Sequence, residues 1–319
     1  MFGFLGKKAR SEVGKVEGVA KVPALGDFVR TPSPSDELLA FEAWVTRALE
    51  TAEARGASFK DAFAAGAAHA FVWSGALDKK LRGVFAGVLA PSHDAVGRRF
   101  PIVLGVAVPV ASLATQPHTA PLLLHELFQH AAAAAARVRQ ARSASELHAH
   151  VASIAPPSLD DVGGCLTRYA EWAKNARASD ASTALYGGDA GWRHALGTIV
   201  DATAAYRGQD APPLSLGVRV PLGAQHGNQL AMWLDFVRSA AGWKSTVPTL
   251  FFPLAGTSAL IQLGAEAPAS VLVDLFAPSR DSNAVCDVTN ADAAPPPASA
   301  RAEVYAATSL ADVATELAR

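Results

Sequence analysis

The chain has 319 residues, 28 basic and 29 acidic side chains and a formal net charge of −1, and it is 50% hydrophobic and 18% charged. That composition is globular rather than disordered, and so even a charge balance supplies no global field to attract nucleic acid or an anionic membrane. Two cysteines far apart, Cys165 and Cys286, argue against a disulfide framework or a zinc cluster and fit a reducing compartment.

The N-terminus, MFGFLGKKARSEVGK, lacks the long apolar run that a secretory signal places after its charges. Phe2, Phe4 and Leu5 ahead of Lys7, Lys8 and Arg10 read as a frayed terminus, with a weak interfacial anchor as the alternative. The longest apolar run, residues 102–114, holds Pro109 and is too short to span a bilayer. A soluble, cytoplasmic protein without stable membrane insertion is therefore expected.

Residues 18–28 read as a strand entering a turn at Ala24-Leu25-Gly26-Asp27. Ser33, Pro34 and Asp36 form a helix start. Leu38, Phe41, Val45 and Leu49 continue at helical spacing, and Gly56 is the expected stop. Ser58 and Asp61 open a second helix, with Phe59 and Phe63 one turn apart, and residues 71–73 begin a strand. The stretch VFAGVLAPSHDAVGRRFPIVLGVAV, residues 84–108, then frames a polar segment between two apolar runs, 84–90 and 100–108. Pro91, Ser92, Asp94 and Gly97 are turn formers, so two buried strands joined by a charged connection are predicted. Both faces of each strand are apolar, which calls for a helix layer on at least one side.

Pro121 opens a long helix through Leu127 and Phe128, carried on by the alanine run at 131–136, and Ser145-Glu146 starts a further turn. Pro156-Pro157 is the predicted boundary between domains. Beyond it come a helix start at Ser158 and Asp161, a break at Gly187-Gly188, a helix at 192–206 and a strand at 214–222. A helix at 229–241, a hairpin of 250–254 with 259–263 and a short helix from Pro268 follow. Residues 291–300, with Pro295-Pro296-Pro297, read as a linker, and 302–317 as a terminal helix, docked or recruiting a partner. The expected organisation is residues 1–155, an N-terminal domain; 158–278, a second α/β domain; and 279–319, linker and terminal helix. The fold class is α+β, a mixed or mainly antiparallel sheet flanked by helices.

Candidate chemistry concentrates around the polar segment. His125 and His130 are five apart, which puts them on different sides of a helix and fails the zinc spacing. Ser92, His93 and Asp94 are adjacent and cannot form a catalytic triad by themselves. No metal, cofactor or catalytic residue is assigned. Gly26-Asp27-Phe28 reads as a tight turn with Asp27 on local backbone and Phe28 in the core, or as a functional loop. Arg98 and Arg99 are both able to pair with a phosphate or carboxylate; for Arg98 a salt bridge to Asp27 or Asp94 is expected, while Arg99, pointing the other way, is the candidate for an exposed contact.

Two of these segments carry a resemblance. APSHDAVGRRFPIVL is similar to the PS-x-D-x-VGR-x-FP signature of the TagF (ImpM) family, and Lys21-Val22-Pro23-Ala24-Leu25-Gly26-Asp27-Phe28 resembles its GKLP-x-x-GDF. Trp44 and Trp73 also fit, whereas Ala20 and Val22 stand where the family has Gly and Leu. The resemblance covers roughly the first half of the chain. It implies a longin- or profilin-like first domain and post-translational repression of type VI secretion through an FHA-domain protein. Gly26, Asp27, Phe28, Ser92, Asp94, Gly97, Arg98 and Arg99 are then the structural or interaction residues. The rival readings are a small-molecule or phosphopeptide-binding enzyme using Ser92, Asp94 and Arg98, and a structural component of the secretion apparatus. Because Asp27 and Arg98 occur one in each signature, they are expected to pair and fix the two loops.

Composition also sets a proteolysis expectation. Limited digestion should cut within residues 279–300 before it cuts within 84–108, because the Pro/Ala/Asp-rich stretch has little apolar surface to bury. Early cleavage inside 84–108 would contradict it.

Overall fold

The computed structural model describes residues 12–54, 56–75, 78, 80–114, 116–279, 282–290 and 302–319. The apolar residues expected as a frayed terminus, Phe2 to Leu5, and the linker at 291–300 lie outside them. In chain order the first elements are β1 (Glu17–Ala20), β2 (Val29–Arg30), α1 (Asp36–Glu53), α2 (Ala57–Ala65), β3 (His69–Trp73), β4 (Gly83–Ala90) and β5 (Ile102–Pro109). Then come α3 (Ala120–Leu123), α4 (His125–Arg139), α5 (Ala144–Ala152), α6 (Val162–Asn175), α7 (Ala178–Tyr186) and α8 (Asp189–Ala204). The chain closes with β6 (Gly217–Pro221), α9 (His226–Ala241), β7 (Leu250–Pro253), β8 (Ser258–Gln262), α10 (Val271–Phe276), β9 (Val285–Asp287), α11 (Ala302–Ala306) and α12 (Leu310–Ala318).

Among the described residues the strands form one sheet of nine, ordered β2-β1-β5-β4-β3-β7-β8-β6-β9. Every pairing is antiparallel except β6 with β9. The expected α+β class with a mainly antiparallel sheet is what the molecule has. The sheet crosses the position of the predicted boundary: β3, before Pro156-Pro157, pairs with β7, after it, from His69 opposite Pro253 to Val72 opposite Leu250.

Alternation along the central hairpin builds two cores. Val84, Ala86 and Val88 of β4 and Ile102, Leu104 and Val106 of β5 face one way, into a core shared with Leu127, Phe128 and Ala131 of α4 and with Trp233 of α9. Phe85, Leu89 and Val103 face the other way, against Phe41 and Trp44 of α1, Phe59 and Phe63 of α2 and Leu272 of α10. Both faces are thus covered, which is why both runs are apolar throughout. On the α1 side Phe41 stacks on Phe71 at 4.3 Å and lies 5.6 Å from Phe85. Gly87 and Gly105 stand opposite one another beneath this cluster. A methyl group at Gly87 would come within 2.0 Å of the Leu104 carbonyl oxygen, and one at Gly105 within 2.9 Å of the Phe85 ring.

Several details differ from expectation. The cap of α1 is Ser35, whose hydroxyl accepts from the Leu38 amide at 3.1 Å; Ser33 instead takes a positive φ of 54° in the preceding turn. The buried Glu17 carboxylate holds that cap, accepting from the Ser35 amide at 2.9 Å and from its hydroxyl. The helix predicted from Pro121 is interrupted at Leu124. Strand β9 lies in the stretch read as weak after Pro278. The terminal helix is two helices, because Ser309 and Asp312 form a fresh capping box. It is docked: Leu310, Val313 and Leu317 are buried, and Arg207 donates to the carbonyls of Leu317 and Ala318 at 3.1 and 2.6 Å.

Leu89 is fully buried on the aromatic face of the hairpin. Leu89→Ala is expected to cost about 2–5 kcal/mol in urea unfolding, from lost transfer energy plus the cavity left behind. An unchanged midpoint would place the core elsewhere.

Candidate functional site

At the rim of the sheet β4 must turn back into β5, and residues 91–101 make that connection. Asp94 closes it. Its carboxylate accepts from the amides of Val96 and Arg98 at 3.1 and 2.8 Å, and its own amide donates to the Arg98 carbonyl at 3.1 Å. Gly97, at φ 84°, supplies the left-handed residue that this five-residue turn requires. The same carboxylate receives the Arg98 Nε at 2.6 Å and lies 3.3 Å from the Lys21 ammonium. Asp94 is 1% exposed and Lys21 6%. Burial alone would push the Asp94 carboxyl up; the Arg98 amide and guanidinium and the Lys21 ammonium outweigh it and hold the group well below the usual carboxylate range.

This turn is tied to the loop that follows β1. The Ala95 amide donates to the Leu25 carbonyl at 2.9 Å, and the Arg98 guanidinium reaches the Gly26 carbonyl at 2.5 Å. Phe28 packs edge-on against Phe100, with ring centroids 4.8 Å apart, and Lys21 Nζ lies 4.5 Å from the Phe28 centroid. The two signatures therefore meet in space, through different partners from those expected. Asp27 does not pair with Arg98: its Oδ1 accepts from the next amide, Phe28, at 2.8 Å, and Asp94 takes the guanidinium instead. The local partner wins because Asp94 faces inward from the same turn as Arg98. Phe28, expected in the core, is 42% exposed, and Val96 at the tip of the turn is 72% exposed.

Ser92, His93 and Asp94 are not brought into contact with one another. His93 is exposed, Asp94 turns inward, and the buried Ser92 hydroxyl has no hydrogen-bond partner among the described residues. Arg99 sits on the side of the turn away from Arg98, beside Phe63 of α2 and Arg139 of α4. Lys21 is the member that sequence reasoning passed over, although it stands inside the first signature. A second polar cluster was also missed. Tyr169 donates to Asp235 Oδ2 at 3.1 Å and Arg238 to Oδ1 at 2.9 Å, with His118 Nδ1 3.8 Å from Oδ1. Burial lowers the His118 pKa and raises that of Tyr169 well above normal. Both Asp235 oxygens are satisfied, so this network clamps α6 to α9. Among the described residues no group of three or more His, Cys, Asp or Glu could hold a metal ion, and no helix is long and apolar enough to cross a membrane.

Residues 19–154 match the family model of the TagF N-terminal domain, described as type VI secretion system-associated. That portion of the chain is a TagF-type domain, as the two signatures indicated, and it links the protein to type VI secretion. Among solved structures, the crystal structure of PA0076 from Pseudomonas aeruginosa PAO1 is similar at 23% identity and a TM-score of 0.38. The match covers 46% of this chain and 64% of that one. No curated protein matches significantly.

Asp94→Asn should destabilise the fold clearly at neutral pH, whereas Asp27→Ala, exposed and bonded only locally, should stay within about 0.5 kcal/mol of wild type. The folded-state pKa of Asp94 is depressed, so its contribution is complete above the ordinary Asp value of ~3.9 and is lost as pH falls below that toward the folded value. The stability gap between wild type and Asp94→Asn should accordingly narrow on acidification below about pH 4, measured by urea unfolding across pH. A gap that is absent at pH 7, or that widens in acid, would contradict this.

Proposed function

We propose that the protein is a non-enzymatic, cytoplasmic regulator that represses type VI secretion assembly through protein–protein contact, with an FHA-domain protein as its partner. The observation that carries this reading is the direction of the charges in the two signatures. A site that performs chemistry or grips a small substrate aims its ionic groups at the ligand. Here Lys21, Asp94 and the Arg98 guanidinium are used on one another, and they fix two loops rigidly. Among the groups those loops expose are Phe28 and Val96, apolar side chains that a partner protein would cover. The family association of residues 19–154 supplies the process in which such a contact would act.

The test is recovery of partners from the native bacterium with tagged protein, read by mass spectrometry. Type VI components, the FHA-domain protein among them, should be recovered with wild type and fall about tenfold with Val96→Glu, the equivalent of ~1.4 kcal/mol. Recovery of no type VI component, or equal recovery by wild type and Val96→Glu, would defeat the proposal.

A further inference from the structure

On the opposite side of the turn from Arg98, the β4–β5 connection faces α2 and the last turn of α4 across a cleft of about 270 Å³. Phe63 and Ala64 form its apolar wall, and Ser92, His93, Arg99 and Arg139 its polar one. No lining residue is acidic. Two arginines thus line one small cleft, and neither has a carboxylate partner among the described residues. The Arg139 guanidinium donates to the Pro91 carbonyl, which draws it over the turn and leaves most of its five donors unused. A place in the last turn of α4 suits a cation, but it does not explain the turn of this side chain onto Pro91. Arg99 is half-buried and has no partner of its own among the described residues.

A second observation points the same way. Ser92 is 6% exposed, and its hydroxyl is buried without a hydrogen-bond partner. Buried hydroxyls are ordinarily paired, and this one, on a residue that lines the same cleft as Arg99 and Arg139, is a donor without an acceptor. A doubly charged oxyanion in a cleft lined by two arginines and no acid would be held by both charges, more strongly against an apolar wall than in water. Guanidinium forks match the oxygens of a phosphoryl group in pairs. The cleft is smaller than the ~300–1,000 Å³ typical of small-molecule pockets, so it suits an ionic group rather than a whole cofactor.

We propose that this cleft binds a phosphoryl dianion, free or carried on a phosphorylated side chain, through Arg99, Arg139 and Ser92. The proposal does not rest on the regulatory reading, since it concerns the other side of the turn and is tested without a partner protein. Isothermal titration of the full chain at constant ionic strength tests it, with inorganic phosphate as one probe and blocked phosphothreonine (N-acetyl, C-amide) as the other. Binding should weaken at least tenfold in Arg99→Gln and in Arg139→Gln, several-fold in Ser92→Ala, and remain unchanged in Arg137→Gln, which lies outside the cleft. Tighter binding of phosphothreonine would identify a side-chain source, and tighter binding of phosphate a free anion; either supports the site. Should Arg139→Gln unfold through loss of its Pro91 contact, Arg99→Gln, which has no such contact to lose, decides. Failure of both probes to bind at millimolar concentration, or affinities that Arg99→Gln leaves unchanged, would overturn the proposal.

Discussion

A carboxylate with almost no solvent exposure, Asp94, is the constraint on which the rim of this molecule depends. Removing it from water is unfavourable unless its oxygens find donors. Two amides of its own turn, the Arg98 guanidinium and the Lys21 ammonium provide them. Three of these come from the turn itself, and the fourth comes from the end of β1. One buried charge therefore sets the shape of the β4–β5 connection and also fixes the β1–β2 loop against it, a link completed by Arg98 on the Gly26 carbonyl and Ala95 on that of Leu25. Removing one partner of such an arrangement leaves an uncompensated charge, and this is where the rim is most sensitive to substitution.

The sheet beneath makes this possible. Paired glycines at 87 and 105 let the hairpin pass under the aromatic cluster of α1 while the opposite face packs on α4. With both faces of the hairpin covered by apolar side chains, the signature residues gather at the end of the sheet. The turn then has two distinct sides. On one, Asp94 is satisfied internally and Phe28 and Val96 are exposed; the other holds Arg99, Arg139 and Ser92, whose buried hydroxyl has no partner among the described residues.

Much of this was legible in the chain because the signals were local and strong. Residues 84–108 carry two strand-length apolar runs and four turn formers, and the hairpin follows from them directly. Strands β2 and β9, of two and three residues, are too short to show alternation and were invisible. Pro156-Pro157 marks a break in the chain but not in the sheet, since strand pairing between β3 and β7 leaves no compositional trace. At the site, the choice between Asp27 and Asp94 for Arg98 depended on which carboxylate faces inward, a fact of three-dimensional packing. Lys21, a single cation just after β1, gives no hint of burial, and Arg139 belongs to a helix whose approach to the turn no motif records.

Asp94 is an ionised, internally satisfied hub rather than an ordinary surface carboxylate. Observing its side-chain carboxyl carbon by NMR during an acid titration tests this most directly. The Asp94 signal is expected to keep the chemical shift of the charged form well below about pH 3.9, the value near which an unperturbed Asp titrates, until the protein itself unfolds. A signal that titrates near that ordinary value while the fold remains intact would contradict it.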